Sequence, residues 1–318
     1  MRDSPKAAPG RPALTRRPLP GGTNKPRGHL KYVAPTMTLM VVLSIIPTVF
    51  LAIASLTNYQ LGWSLDEKRF KFVWFENYIR LFSGADKAFW HSVWISVLFM
   101  VLATGIEMVL GFWLASMLNN SDSKLKPLMI GIMMLPLAMT PSIAAQVWKL
   151  LFSSEYGLLN AILNGVAGVK VTWLGPEMAF WSILIVDIWQ FTPFVALIIY
   201  AGLRSMPDEP FEAASLDGAS RWQAFRYLTI PMLSKLLYLA LLLRAVDALK
   251  LFDTAFVLTQ GGPGNATEFL SLHVYRLANA QNGLIGRASA VAVVLLIVVM
   301  VVSRFLIKKQ RKAAEASG

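Results

Sequence analysis

Residues 208–231 read DEPFEAASLDGASRWQAFRYLTIP, a polar stretch with charges of both signs set between apolar runs at roughly 178–203 and 235–257. Each run is long enough to cross a bilayer, which takes about 20 apolar residues. The polar stretch itself reads as two short helices. Asp208 is placed to cap the first, and Pro210 falls in its first turn, where a missing N–H does no harm. Gly218 supplies the left-handed residue that ends it. Ser220 and Gln223 have capping-box spacing for the second helix, with Pro231 as its stop. Two readings of so structured a connection compete: an amphipath lying on the membrane surface, or a docking element for another protein.

Composition favours the membrane. The 318 residues are 55% hydrophobic and only 15% charged, against about 25% charged in soluble domains, and mean hydropathy is +0.53. With no cysteine, disulfides, thiolate zinc sites and cysteine nucleophiles are excluded. The net charge of +12 sits in blocks flanking the apolar runs, a topology signal and not a nucleic-acid face.

Working outward, six spans are expected at about 33–57, 90–117, 127–151, 178–203, 235–257 and 288–307, giving an all-α integral membrane protein. Pro136, Pro141 and Pro193 predict breaks in the third and fourth spans, lining an interior. Residues 1–31, rich in proline and basic residues and without periodicity, read as a disordered tail. The apolar run behind them is too long for a secretory h-region and reads as an uncleaved span. Nineteen Lys and Arg fall on the side of the amino terminus and eight on the other, which predicts both termini and the 208–231 loop in the cytoplasm. The organisation expected is a basic cytoplasmic tail at 1–31, a membrane domain at 32–307 and a cytoplasmic tail at 308–318. Between the first two spans, Trp63, Phe70, Phe72, Trp74, Phe75, Tyr78 and Phe82 read as an interfacial aromatic belt with a short surface helix. Thr259–Thr267, TQGGPGNAT, reads as an outer turn cluster without the pattern of a phosphate loop.

Charges at membrane depth cost roughly 2.5–3.5 kcal/mol each and call for a reason. In the fifth span Arg244, Asp247, Lys250 and Asp253 recur every third residue, which places neighbours of opposite sign close together. Either they form a self-neutralising packing seam, or they line a translocation path. Asp187, Trp189 and Gln190 make a second polar patch: a carboxylate, an indole N–H and an amide beside aromatic faces suit a polyhydroxylated solute. Glu107 is a further candidate without an evident partner. His29, His91 and His273 have neither metal spacing nor an evident acid partner, and no nucleotide or hydrolase motif is present. The chain does not read as an enzyme and has no metal site.

Glu212-Ala213-Ala214, then Gly218, then Leu228-Thr229-Ile230-Pro231 after nine further residues, resembles the EAA loop of binding-protein-dependent ABC importer permeases, with conservative replacements at Leu228 and Ile230. Glu76-Asn77-Tyr78, Ile188 to Phe194 (IWQFTPF), Phe252-Asp253 and Leu258 to Pro263 (LTQGGP) extend the similarity to the carbohydrate branch, the maltose and glycerol-phosphate type. The GGP element resembles that of the first permease subunit. The resemblance covers roughly 33–307. It implies a type I ABC importer permease fold in the bacterial inner membrane, paired with a second homologous permease. It also implies two ATPase subunits carrying ATP and Mg, and an extracytoplasmic solute-binding protein. Glu212, Ala213, Ala214, Asp217, Gly218 and Pro231 would be the ATPase-coupling residues. Asp187, Trp189, Gln190, Arg244, Asp247, Lys250 and Asp253 would be the substrate path. Two alternatives stay open: an ABC permease for another solute class, and a proton-coupled carrier with Asp187 or Asp247 as proton site.

Overall fold

The computed structural model describes residues 30–62, 69–279 and 283–316. All named elements among them are helices: α1 (Leu30–Ala54), α2 (Glu76–Phe82), α3 (Lys87–Asn119), α4 (Lys126–Ala138), α5 (Pro141–Leu151), α6 (Leu158–Ala167), α7 (Ala179–Arg204), α8 (Glu209–Leu216), α9 (Arg221–Ala224), α10 (Ile230–Leu249), α11 (Asp253–Thr259), α12 (Leu270–Asn279) and α13 (Ile285–Ala316). Five helical stretches are long and apolar enough to cross a membrane, and α4 with α5 makes a sixth if the bent pair is one span. Residues 1–49 and 50–318 form two units. In the first, α1 runs through Pro35 and Pro47 without a break. The expected tail at 1–31 and Trp63 lie outside the described residues, apart from Leu30 and Lys31, which open α1.

Several boundaries differ from expectation for local reasons. The fifth span does not run over 235–257. It begins at Arg221, passes through a π turn at Phe225–Thr229 and ends at Leu249; α11 is a separate helix. Pro231 is therefore not a stop. It sits in the first turn of α10, and because it has no N–H to offer Tyr227, the ladder is re-registered just before it by an Ile230 N–H bond to the Phe225 carbonyl. The third span is broken as the prolines predicted, with a 96° bend between α4 and α5. Pro193, in contrast, leaves α7 continuous. Residues 308–316 are also helical, as part of α13.

Phe50–Gly318 packs around α3 and α7, which lie against each other along their lengths, with α10 contacting both. Close approach is set by Gly111, where an added Cβ would lie 2.7 Å from Val195 Cγ1. Small residues at such a contact let backbones come together where no hydrophobic effect drives helices in lipid. One apolar core gathers Phe99, Phe152, Ile183, Leu258 and Phe269. A second gathers Ala115, Val195, Ile199, Leu233 and Ala240 between α3, α7 and α10. The aromatic segment carries α2 as expected, with Phe70 and Phe72 edge to face at 5.9 Å. Asn77 is buried and donates from Nδ2 to the carbonyls of Ser55 and Thr57, both at 2.9 Å, while the Tyr78 and Ser55 hydroxyls lie 2.7 Å apart. The Glu76-Asn77-Tyr78 element is thus a clasp on the chain leaving α1.

Candidate functional site

In the 208–231 loop, α8 ends in a Schellman closure. Gly218, at φ +79°, donates to the Ser215 carbonyl at 3.1 Å, and Ala219 donates to the Ala214 carbonyl at 2.9 Å. Glycine adopts that φ without steric cost, so the sharp exit between the helices depends on it. Asp208 makes no side-chain cap, because its backbone is already helical; its carbonyl accepts from Phe211 and Glu212 instead. The Ser220–Gln223 capping box forms in both directions. Neither α8 nor α9 has a buried residue. Glu212, Ala213 and Asp217 are exposed and Ala214 half-buried; Leu216 is 90% exposed, and Trp222 and Tyr227 are exposed as well.

At membrane depth the predicted charge series separates. Asp247 and Lys250 pair at 3.5 Å and are about half exposed, and Asp253 is exposed at the start of α11. Arg244 turns instead into the core. Its Nε donates to Glu107 Oε2 at 2.6 Å, and its Nη2 donates to Glu107 Oε1 and Asp187 Oδ2, both at 2.7 Å. The Phe191 ring lies 4.0 Å beneath the guanidinium. Glu107 therefore has a partner, and the four charges at 244–253 are not one seam. The reason lies in the fork of the guanidinium, which can engage two oxygens of one carboxylate and still donate to another. Side-chain exposures of 1%, 0% and 2% for Arg244, Glu107 and Asp187 put the triad out of water. Removing one member of such a buried pair leaves an uncompensated charge, at about 3–5 kcal/mol.

One turn beyond Asp187, Gln190 is buried and donates from Nε2 to the Met139 carbonyl at 3.0 Å. Met139 stands at the α4–α5 bend, so Gln190 satisfies a backbone group freed by the break. Half-buried Trp189 meets Trp148 of α5 edge to face at 5.5 Å. Lys149, also expected within a span, donates to the Val257 carbonyl at 2.9 Å.

His273 has the acid partner that sequence spacing did not reveal. Its Nδ1 is 2.8 Å from Glu268 Oε1 and its Nε2 is 3.8 Å from Asp86 Oδ2. Arg276 pairs with Glu268 at 2.6 Å and Arg287 with Asp86 at 3.5 Å, while Asp86 also caps α3 through the Phe89 N–H. This network fastens the start of α3 to α12 and α13. No cluster suited to a metal ion occurs among the described residues.

Residues 107–312 match the family described as the inner membrane component of binding-protein-dependent transport systems, and the chain belongs to that family. It is the permease subunit of an ABC importer, an integral multi-pass protein of the inner membrane that is itself non-catalytic. Among its curated relatives is the trehalose/maltose transport system permease protein MalF of Thermococcus litoralis, 38% identical over 71% of this chain and 76% of its own length. Another is the sulfoquinovosyl glycerol transport system permease protein SmoG of Agrobacterium fabrum, 32% identical over 85% and 86%. The fold matches a chain of a bacterial alginate ABC transporter, crystallised with an alginate pentasaccharide-bound periplasmic protein, at a TM-score of 0.76 and 22% identity over 90% of this chain and 96% of that one.

Proposed function

We propose that this subunit passes a carbohydrate through the membrane by alternating access, driven by ATPases that dock on the 208–231 loop. The observation that carries the reading is the continuity of α9, the π turn and α10: an exposed docking helix and a membrane span are one rod. Closure of the ATPases on ATP and Mg would displace the loop, and ATP shifts the equilibrium because the closed dimer favours one state. Glu212, near the α8 start, suits the helix dipole and a basic group on the ATPase. Ala213 and Ala214 permit close approach, Gly218 makes the bend, Asp217 flanks it and Pro231 sits in the first turn of α10. A second homologous permease would complete the path, and an extracytoplasmic binding protein would deliver the solute. Both termini lie in the cytoplasm on this reading, which the Lys and Arg distribution supports.

Carbohydrate is favoured because relatives named for trehalose and maltose, for sulfoquinovosyl glycerol and for alginate all concern sugars or their derivatives. In this chain Trp189, Asp247, Lys250 and Asp253 remain accessible enough to meet hydroxyl groups and sugar C–H faces. Asp187, Gln190 and Arg244 are committed to contacts inside the protein and shape the path from behind. The test is uptake of radiolabelled maltose and trehalose by proteoliposomes holding the complete complex and its binding protein. Uptake should require internal ATP and survive collapse of the proton gradient. Loss of uptake with the gradient would point to a secondary carrier. Gly218→Pro should leave the complex assembled while hydrolysis and uptake part company, and coupled transport in that variant would sink the docking assignment.

A further inference from the structure

The helix that carries Arg244 also carries the docking loop's second helix. From Arg221 the rod runs through the π turn to Leu249, and Arg244 lies 14 residues beyond Ile230, about 20 Å at 1.5 Å per residue. There the guanidinium binds Glu107 on α3 by two hydrogen bonds and Asp187 on α7 by a third. One turn along α7, Gln190 holds the Met139 carbonyl at the 96° bend between α4 and α5. The bend is the one interrupted span among the described residues, and one direct hydrogen bond ties it to α7, the helix that Arg244 ties to the rod.

Resting on the ATP-driven reading above, we infer that Arg244 is a positioning residue for transport. It locks α10 to α3 and α7, so displacement of the docking loop is delivered to the α4–α5 bend and not lost as sliding between helices. An apolar contact at the same place resists separation but lets helices shift along one another, because dispersion is non-directional. A bidentate guanidinium–carboxylate pair fixes distance and angle together, and its partners have no water to turn to. The triad thus makes three helices one rigid body, which can switch between discrete arrangements and cannot creep.

The test uses the complete complex with spin labels at Met134 on α4 and Ile297 on α13, both exposed. It reads the change in their separation when ATP and vanadate trap the closed ATPases, alongside ATP hydrolysis. Because Arg244→Met alone strands two carboxylates, the informative variant is Glu107→Met, Asp187→Leu and Arg244→Met together, which removes the charges and keeps the volume. It should hydrolyse ATP within twofold of wild type while losing at least half of the trapping-dependent change in distance. Arg244→Lys, which keeps the charge but not the fork, should assemble and lose a smaller share of it. A full change in either variant overturns the inference and leaves the transport reading standing. A wild-type complex that shows no change on trapping overturns the ATP-driven reading, and this inference falls with it.

Discussion

The 208–231 loop and the buried triad are both built from charged side chains, and they use water in opposite ways. All six charged residues of the loop, Asp208, Glu209, Glu212, Asp217, Arg221 and Arg226, are exposed. None is in an ion pair among the described residues. Their shape comes from backbone devices: a Schellman closure at Gly218 and a capping box at Ser220. In the triad the backbone is ordinary helix, and the geometry comes from three side-chain hydrogen bonds that exclude solvent. The loop is therefore free to meet a partner without first breaking contacts of its own, whereas Arg244 is held by three hydrogen bonds to two buried carboxylates.

The sharpest way to break the contrast is to treat the two regions alike. Arg244→Ala should lower stability by about 3–5 kcal/mol, since Glu107 and Asp187 are left buried without a cation. Detergent-solubilised complex should then fall to a small fraction of wild type on size-exclusion chromatography. Arg226→Ala in the loop should stay within about 0.5 kcal/mol, as surface substitutions usually do. Equal losses from the two would show that the loop is held by its charges after all.

Asn77→Ala should come next. It removes two donors to the Ser55 and Thr57 carbonyls, and an orphaned buried acceptor costs roughly 1–3 kcal/mol. Because this clasp holds the chain leaving α1, the loss should appear as easier proteolysis between residues 55 and 75 while the loop's function is unchanged. Gly218→Ala is smaller, at about 1 kcal/mol from forcing a Cβ into φ +79°. Its effect should fall on ATP-coupled uptake more than on assembly, the reverse of the Asn77 variant.

How far each region can be read from sequence follows from what builds it. The loop's devices are local: Gly218 within two residues of the helix it ends, Ser220 three residues from Gln223. They stand in the chain in the order in which they act. Pro231 reads as a stop in the sequence because a proline in a first turn and a proline after a helix look alike, and only the π turn before it separates the two. The triad joins residues 57 and 137 positions apart, and no local period brings them together. What the sequence did carry was a charge at membrane depth in each of three spans, Glu107 in the second, Asp187 in the fourth and Arg244 among the four of the fifth. Reading Arg244 with its own helix neighbours, Asp247 and Lys250, obscured that pattern. The partners of His273 are hidden for a similar reason: Glu268 is only five residues away but reaches it across the turn before α12, and Asp86 comes from the cap of α3.

The smallest expected effect on stability bears most directly on the solute. Asp247 and Lys250 lie in the same predicted series as Arg244, yet they are about half exposed and 3.5 Å apart, and such pairs contribute about 0–1 kcal/mol. Asp247→Ala should therefore leave the amount of folded complex unchanged, in contrast to Arg244→Ala one turn away. If Asp247 meets sugar hydroxyls in the path, the same substitution should raise the KM for uptake severalfold at an unaltered rate of basal ATP hydrolysis. A variant that assembles less well and transports normally per folded complex would make Asp247 a packing residue. The accessible end of the series would then lose its place in the path.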